Sequence, residues 1–286
     1  MRSAYAYYRP HTLAEALELA AREPKARFIA GGTDLLVKLK KRRMEEPRAL
    51  ISLRNISELA SLSHDAAGEL VIGAGAPLSD VLLHPRVVED YPALAASIQV
   101  LGSQQIRNVA TLGGNLCNAS PAADTAPALM IYGANAVLTR AAGARRIAVE
   151  SMFVGPGQTV IEPGEILTEV RIPKPSARAR SAFLRKGRVQ MDLAIASAAV
   201  LLELEGTRCT KARVAVGAVA PVPLRLLEVE AVLSGSELSP SVLAQAKELV
   251  RARVSPIDDL RSSAVYRREL VAVLVARAAL AAKGVA

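Results

Sequence analysis

The chain has 286 residues, of which 51% are hydrophobic and 3% aromatic; it contains no Trp and carries a formal charge of +9. That length buries a substantial core and accommodates more than one domain, and the hydrophobic share excludes intrinsic disorder. With so few aromatic residues, the core has to be built from Ala, Val, Leu and Ile. In chain order, Thr12 and Glu15 form a capping-box pattern for a helix whose stripe is Leu13, Ala16, Leu17 and Ala20, predicted to end before Pro24. "ARFIAGGTDLLVKLKKRR" reads as a short strand, a Gly-Gly turn and a helix starting near Thr33 or Asp34. "PRALISLRNI" supplies a strand and "SELASL" a short helical turn. "GELVIGAGAPLSDVLLHP" repeats the order strand, glycines, helix, and "YPALAASIQVLGSQQIRN" reads as one further helix with Gly102 near its end.

The stretch "ATLGGNLCNASPAAD" (110–124) is too polar for an ordinary buried strand, and Gly113, Gly114 and Pro121 argue against a helix. After it, "TAPALMIYGANAVLTRAAGARRIAV" predicts a buried helix that turns at Gly133 into a strand and hairpin. "GEILTEVRIP" alternates like a strand. Prolines and basic residues in "PKPSARAR" (173–180) mark a domain boundary. Beyond it, "DLAIASAAVLLELEGTRCTKARVAVGAVAPVPLRL" reads as strands around turns. Two helices follow, one capped by Ser239 with Pro240 in its first turn, the last stopped by Gly284. The pattern is that of a mixed α+β chain of two domains.

Composition and motifs exclude several kinds of chemistry. Basic residues are spread along the chain apart from "KLKKRR" (38–43) and "RARSAFLRKGR" (178–188), and neither cluster comes with aromatic stacking positions or a recognition helix. Nucleic acid is therefore not the expected partner, and "KLKKRR" reads as a solvated face or a docking surface. No apolar run reaches the roughly 18 residues of a membrane span: "LVAVLVARAALAA" (270–282) is short and interrupted by Arg277. The start lacks a signal-peptide core, so a cytoplasmic protein is expected. Two distant cysteines, Cys117 and Cys209, and three scattered histidines offer no metal-ligand spacing. Gly73-x-Gly75 begins like a dinucleotide fingerprint, but Leu78 stands where the third glycine belongs. No P-loop, nucleophile elbow or acid–base pair is present, so no residue of this chain is assigned a catalytic role.

What remains are two donor-rich turns, "IAGGTDLL" (29–36) and "TLGGNLCNAS" (111–120). Gly31-Gly32 brings bare N–H groups close to an anion and Thr33 adds a hydroxyl; Gly113-Gly114, flanked by Thr111 and Asn115, is expected to do the same from the opposite side. Two such turns can clamp a pyrophosphate without Lys or Arg.

"FIAGGTDLL" and "VATLGGNLCNASPAAD", with "RPHTLAEALELA", "LRNISEL", "LVIGAGAPLSDVL", "PGEILTEVRIP" and the final helix in the same order, resemble the FAD-binding medium subunit of the molybdenum hydroxylases, the xanthine dehydrogenase and carbon monoxide dehydrogenase family. The resemblance spans nearly the whole chain. It implies an α+β fold with a two-lobed FAD-binding domain of the PCMH/vanillyl-alcohol-oxidase-like kind at 1–175 (lobes about 1–56 and 57–175) and a smaller α+β domain at 176–286. It further implies that FAD is held by Ile29, Ala30, Gly31, Gly32, Thr33, Asp34 and Leu35 in the first turn and by Ala110, Thr111, Gly113, Gly114 and Asn115 in the second. Asp124 and Leu167 match further flavin contacts. Phe183 matches an aromatic position past the boundary, and Arg185 or Lys186 a basic one, with Lys186 taken into the site. Cys117 is left a packing role. The implied partners are a small [2Fe–2S] subunit and a large molybdenum-cofactor subunit, in a dimer of heterotrimers. Electrons would pass from the [2Fe–2S] subunit through FAD to an external acceptor. A standalone flavin-dependent oxidoreductase is the alternative.

Overall fold

A computed structural model describes residues 5–23 and 25–285. Strand β1 (Ala6–Tyr8) leads into helix α1 (Leu13–Arg22), whose Thr12 hydroxyl accepts from the Glu15 N–H while Glu15 reaches back to the His11 N–H at 2.8 Å. Pro24, predicted to stop this helix, lies outside the described residues. Strand β2 (Ala26–Ile29), helix α2 (Leu35–Lys40) and strand β3 (Ala49–Ser52) follow. These strands form a parallel sheet in the order β1-β3-β2. Beneath it, Ala16, Ile51, Ile56, Leu59 and Ile166 make a small core.

A 3-10 turn (Ser57–Ala60) precedes strands β4 (Leu62–His64) and β5 (Leu70–Gly73). Helices α3 (Leu78–Leu83), α4 (Pro85–Asp90), α5 (Pro92–Gln99), α6 (Gln104–Arg107), α7 (Leu112–Cys117) and α8 (Thr125–Ile131) come next. Two expectations change here. The segment 91–108 is not one helix: Gly102 takes φ +54°, which breaks it between α5 and α6. The glycine stretch at 110–124 does contain a helix, α7, despite its two glycines. The Thr111 hydroxyl caps it by accepting from the Gly114 N–H at 3.0 Å, and Leu112, Gly113 and Leu116 are buried, so packing and capping outweigh the poor propensity. Strands β6 (Asn135–Arg140) and β7 (Gly143–Ala148) form the predicted hairpin; β8 (Phe153–Gly155) pairs with β9 (Gln158–Thr159), and β10 (Ile166–Ile172) completes the region. Here the sheet is antiparallel in the order β4-β5-β10-β6-β7.

The last sheet is antiparallel, β11 (Ala179–Lys186), β12 (Ala196–Glu205), β13 (Arg208–Gly217) and β14 (Leu224–Arg225), followed by helices α9 (Leu227–Leu233), α10 (Pro240–Arg253) and α11 (Ala264–Lys283). Helix α9 went unread in the sequence, hidden behind "APVPLRL". Strand alternation divides β12 between two cores. Ala196, Ala198, Val200 and Leu202 pack with α9–α11, whereas Ala199 and Leu201 join the core of the preceding region. Burial on both faces explains why "AAVLL" (198–202) is apolar without interruption. The expected stops hold, with Ser239 capping α10 and Gly284 in the left-handed conformation at φ +83° ending α11.

Candidate functional site

The two glycine turns meet. A Cβ on Gly31 would collide with the Val109 carbonyl, so the β2–α2 turn lies directly against the backbone that enters α7. Gly32 takes φ +72°, a conformation glycine adopts without strain. Gly113 sits against the end of β5, where a Cβ would stand 2.6 Å from both Cβ and O of Ala74. Gly114 differs: a Cβ there would meet only the capping Thr111 hydroxyl at 2.9 Å, and the residue is exposed. The first three are thus required by backbone packing and conformation, and the fourth leaves room on the open side of α7.

Hydrogen bonding makes the two turns unequal. The backbone N–H groups of Gly31, Gly32, Thr33, Asp34 and Leu35 donate to no acceptor among the described residues. In the second turn, Leu112 N–H donates to Ala76 O (3.4 Å), Gly113 N–H to Ala74 O (2.9 Å) and Gly114 N–H to the Thr111 hydroxyl. Of residues 111–114, only Thr111 keeps a free N–H. The expectation of two equivalent donor turns therefore changes: only the first presents a row of N–H groups without acceptors among the described residues, and the second presents chiefly shape and side chains. Asn115 accepts from the Thr125 hydroxyl at 2.6 Å, which leaves its amide Nδ2 as a donor without an acceptor among the described residues. Ile29 is buried, Ala30, Thr33 and Leu35 are half-buried, and Asp34 is exposed. Ala110 is buried where the turns abut, its carbonyl accepting from the Leu78 N–H.

Asp124 closes the loop after α7 and is buried. Its Oδ2 accepts from Arg185 Nη1 at 2.8 Å, while Oδ1 has no hydrogen-bond partner. Burial pushes the carboxyl up to about 6, against the opposing pull of Arg185. Arg185 also donates to Val100 O at 2.9 Å and to Asp192 O, so it joins α5, the Asp124 loop and the segment after β11. Alternation along β11 puts Phe183 and Arg185 on one face and Lys186 on the other. Phe183 and Leu167 are packed in the core of the five-stranded sheet region, and Lys186 is exposed. The structure thus brings Arg185, rather than Lys186, to Asp124. Cys117 is exposed on the wall of α7, and the desolvation of its thiol by surrounding atoms pushes its pKa up.

A separate cavity of about 430 Å³ lies between α1 and the sheet, lined by Leu13, Glu58, Thr139, Arg145, Arg146 and Arg171 among others. Its arginines are already matched, Arg145 to Glu165, Arg146 to Glu69 and Arg171 to Glu169, at 2.7–2.8 Å. It offers no unpaired guanidinium and excludes the glycine turns. Among the described residues, no group of His, Cys, Asp and Glu stands together to hold a metal ion, and no helix is long and apolar enough to cross a membrane.

Comparison with known proteins fits this geometry. Residues 3–175 match the family model described as "FAD binding domain in molybdopterin dehydrogenase", and residues 181–282 match "CO dehydrogenase flavoprotein C-terminal domain". The chain belongs to the FAD-binding subunits of the molybdenum hydroxylases. It is 33% identical over 278 residues to the carbon monoxide dehydrogenase medium chain of Afipia carboxidovorans, covering 97% of this chain and 96% of that one. It is 32% identical over 267 residues to the putative xanthine dehydrogenase FAD-binding subunit XdhB of Escherichia coli K12, covering 93% and 91%. Among solved structures it resembles a chain of the Cu,Mo-CO dehydrogenase, with a TM-score of 0.95 at 32% identity over 100% of both chains. It also resembles a chain of quinoline 2-oxidoreductase from Pseudomonas putida 86, with a TM-score of 0.93 at 32% identity over 99% and 98%. The two-domain order of an FAD-binding domain followed by a C-terminal flavoprotein domain is therefore that of the family. The chain is an oxidoreductase subunit and its cofactor is FAD.

Proposed function

We propose that this chain is the electron-transfer subunit of a multi-subunit molybdenum hydroxylase working in the cytoplasm. In this reading it stands between a small [2Fe–2S] subunit and an external acceptor, with a large molybdenum-cofactor subunit completing a heterotrimer that pairs into a dimer. The observation that carries the cofactor assignment is the row of five unsatisfied N–H groups at 31–35, facing an α7 whose Gly114 leaves space. Those N–H groups and the Thr111 N–H would hold the pyrophosphate oxygens, as bare backbone donors do at anion sites. Asn115 Nδ2 adds a donor, and Asp124 Oδ1, buried without a partner, is available to a cofactor hydroxyl or N–H. Ile29, Ala30 and Ala110 would line the groove with apolar surface, and Leu167 and Phe183, packed in the adjoining core, would give it apolar backing. Arg185 orients Asp124, and Lys186 remains a solvent-facing member of the same segment. When bound, FAD supplies the redox chemistry, and the chain contributes position and electrostatics.

Expression alone should yield a yellow protein releasing about one FAD per chain on denaturation, the one-to-one ratio a single groove implies. Expression with the neighbouring reading frames should co-purify an iron–sulfur chain and a molybdenum chain. A colourless chain that cannot be reconstituted rejects the reading, and turnover of a small donor by the isolated chain favours a standalone flavin oxidoreductase instead.

A further inference from the structure

The basic run at 38–43 is not uniform. Lys40, Lys41, Arg42 and Arg43 are exposed, but Lys38 is half-buried and its Nζ donates to Asn118 Oδ1 at 2.6 Å. That bond joins the elements that carry the two glycine turns. Lys38 lies one turn beyond Asp34, whose carbonyl accepts from the Lys38 N–H at 2.9 Å. Asn118 lies one turn beyond Gly114, whose carbonyl accepts from the Asn118 N–H at 3.0 Å. Gly114, Cys117 and Asn118, spaced i, i+3 and i+4, share one face of α7. It is the open face, because Gly114 and Cys117 are exposed while Leu112, Gly113 and Leu116 are buried. The Lys38 ammonium therefore lies over the side of α7 where Gly114 leaves room.

Among the described residues no carboxylate stands within ion-pair distance of Lys38. Its partner is a neutral amide oxygen, and the N–H groups one turn earlier on the chain, at 31–35, have no acceptor among the described residues. A dianionic pyrophosphate would satisfy both, and a lysine on a flexible four-carbon stem is suited to follow a phosphate as a point charge. We propose that Lys38 is a strap over the cofactor groove: its ammonium exchanges the Asn118 amide oxygen for a pyrophosphate oxygen when FAD binds. This rests on the assignment of the groove to FAD. It adds a cation to a clamp that the glycine turns alone would make neutral.

The test is titration of the apo-protein with FAD, followed by flavin fluorescence at low and high salt, for wild type, Lys38→Met and Asn118→Ala. K38M should weaken FAD about tenfold, the scale of one charge-assisted contact, and lose most of the salt dependence. N118A should bind FAD at least as tightly as wild type, since no bond to Asn118 has to be broken. ADP, which carries the pyrophosphate without the flavin, should compete less well in K38M by a similar factor. Unchanged affinity and salt dependence in K38M overturn the proposal. So does an N118A variant weakened as much as K38M, because the bond would then be a static clasp between α2 and α7. A wild-type chain that binds no FAD overturns the FAD assignment itself, which keeps the two failures distinct.

Discussion

Four glycines line the junction of the two turns, yet they do different work, and the difference can be measured. A methyl on Gly113 would press on the backbone of Ala74, so Gly113→Ala should cost about 1–3 kcal/mol as overpacking, read as a fall in denaturation midpoint of the apo-protein. Gly114→Val adds bulk on the open side of α7 and crowds the Thr111 hydroxyl that caps it; it should cost about 0.5–2 kcal/mol, the worth of that cap, while weakening FAD at least about tenfold in the same fluorescence titration. Asp124 makes a pH prediction of definite sign. Its native carboxyl is raised to about 6, above the roughly 3.9 of an unfolded aspartate, so its contribution to stability is complete below pH ~4 and disappears as pH rises through ~6. Asp124→Asn should remove that decline, worth about 2–3 kcal/mol across the window, in denaturant titrations at successive pH values. Asp259 has the opposite sign. The hydrogen bond from Arg261 holds its carboxyl well below the usual range, so the stability it adds above pH ~4 is lost on further acidification, and D124N should leave that acid limb intact. The two glycine pairs are legible in the sequence as tight turns, and Asp124 stands out only through the family resemblance. The pairing of Asp124 with Arg185 is not legible, because it depends on which face of β11 each residue takes.

At the scale of elements, the sequence signals that succeed are local. Thr12, Ser239 and Gly284 are caps whose partners lie within a few residues, and each helix end they mark is where expected. The signals that mislead are those settled by distant partners. Helix α7 contradicts its own propensity because Ala74 and Ala76 of the β5–α3 connection accept its first N–H groups, and those acceptors are more than thirty residues away along the chain. The bond to Ala74 consumes the Gly113 N–H and the Thr111 cap consumes the Gly114 N–H, the two donors that the Gly-Gly spacing offers a ligand. Helix α11 holds a comparable long-range feature in Arg267, which is 2% exposed and donates to Ile195 O at 2.8 Å, to Ala218 O and to Asp259 at 2.7 Å. It fastens α11 to the ends of β12 and β13 and to the loop before the helix. Arg267→Ala strips donors from three buried or half-buried acceptors and should destabilise the chain by about 3–5 kcal/mol, measured by urea denaturation. Nothing in "SSAVYRREL" singles out Arg267 from Arg268 beside it; only the rotation of the helix buries one and leaves the other nearer solvent.

At the scale of the molecule, the order of domains is legible because each stretch of strands and helices carries its own period, and the family resemblance covers the chain from end to end. The way the regions bind to one another is not, because it requires knowing that β12 is buried twice over. Its odd-numbered residues Ala199 and Leu201 serve the core of the preceding region, and its even-numbered ones serve the helices behind. Two further ties cross the same boundary, the Arg185–Asp124 pair and the hydrogen bond from Ala218 N–H to Pro121 O at 2.7 Å. A fragment comprising residues 176–286 would leave Phe183, Ala199, Leu201 and Ala215 uncovered on one flat sheet face, a pattern that invites aggregation. It should be recovered as insoluble material, and the whole chain should melt in a single calorimetric transition, with calorimetric and van't Hoff enthalpies in agreement. Two separate transitions would contradict this. A sheet shared between two cores also makes the loop that holds Asp124 part of the foundation of both, so a genetic fusion or a split of the chain near residue 175 would cut through the floor of the proposed cofactor groove rather than through a linker.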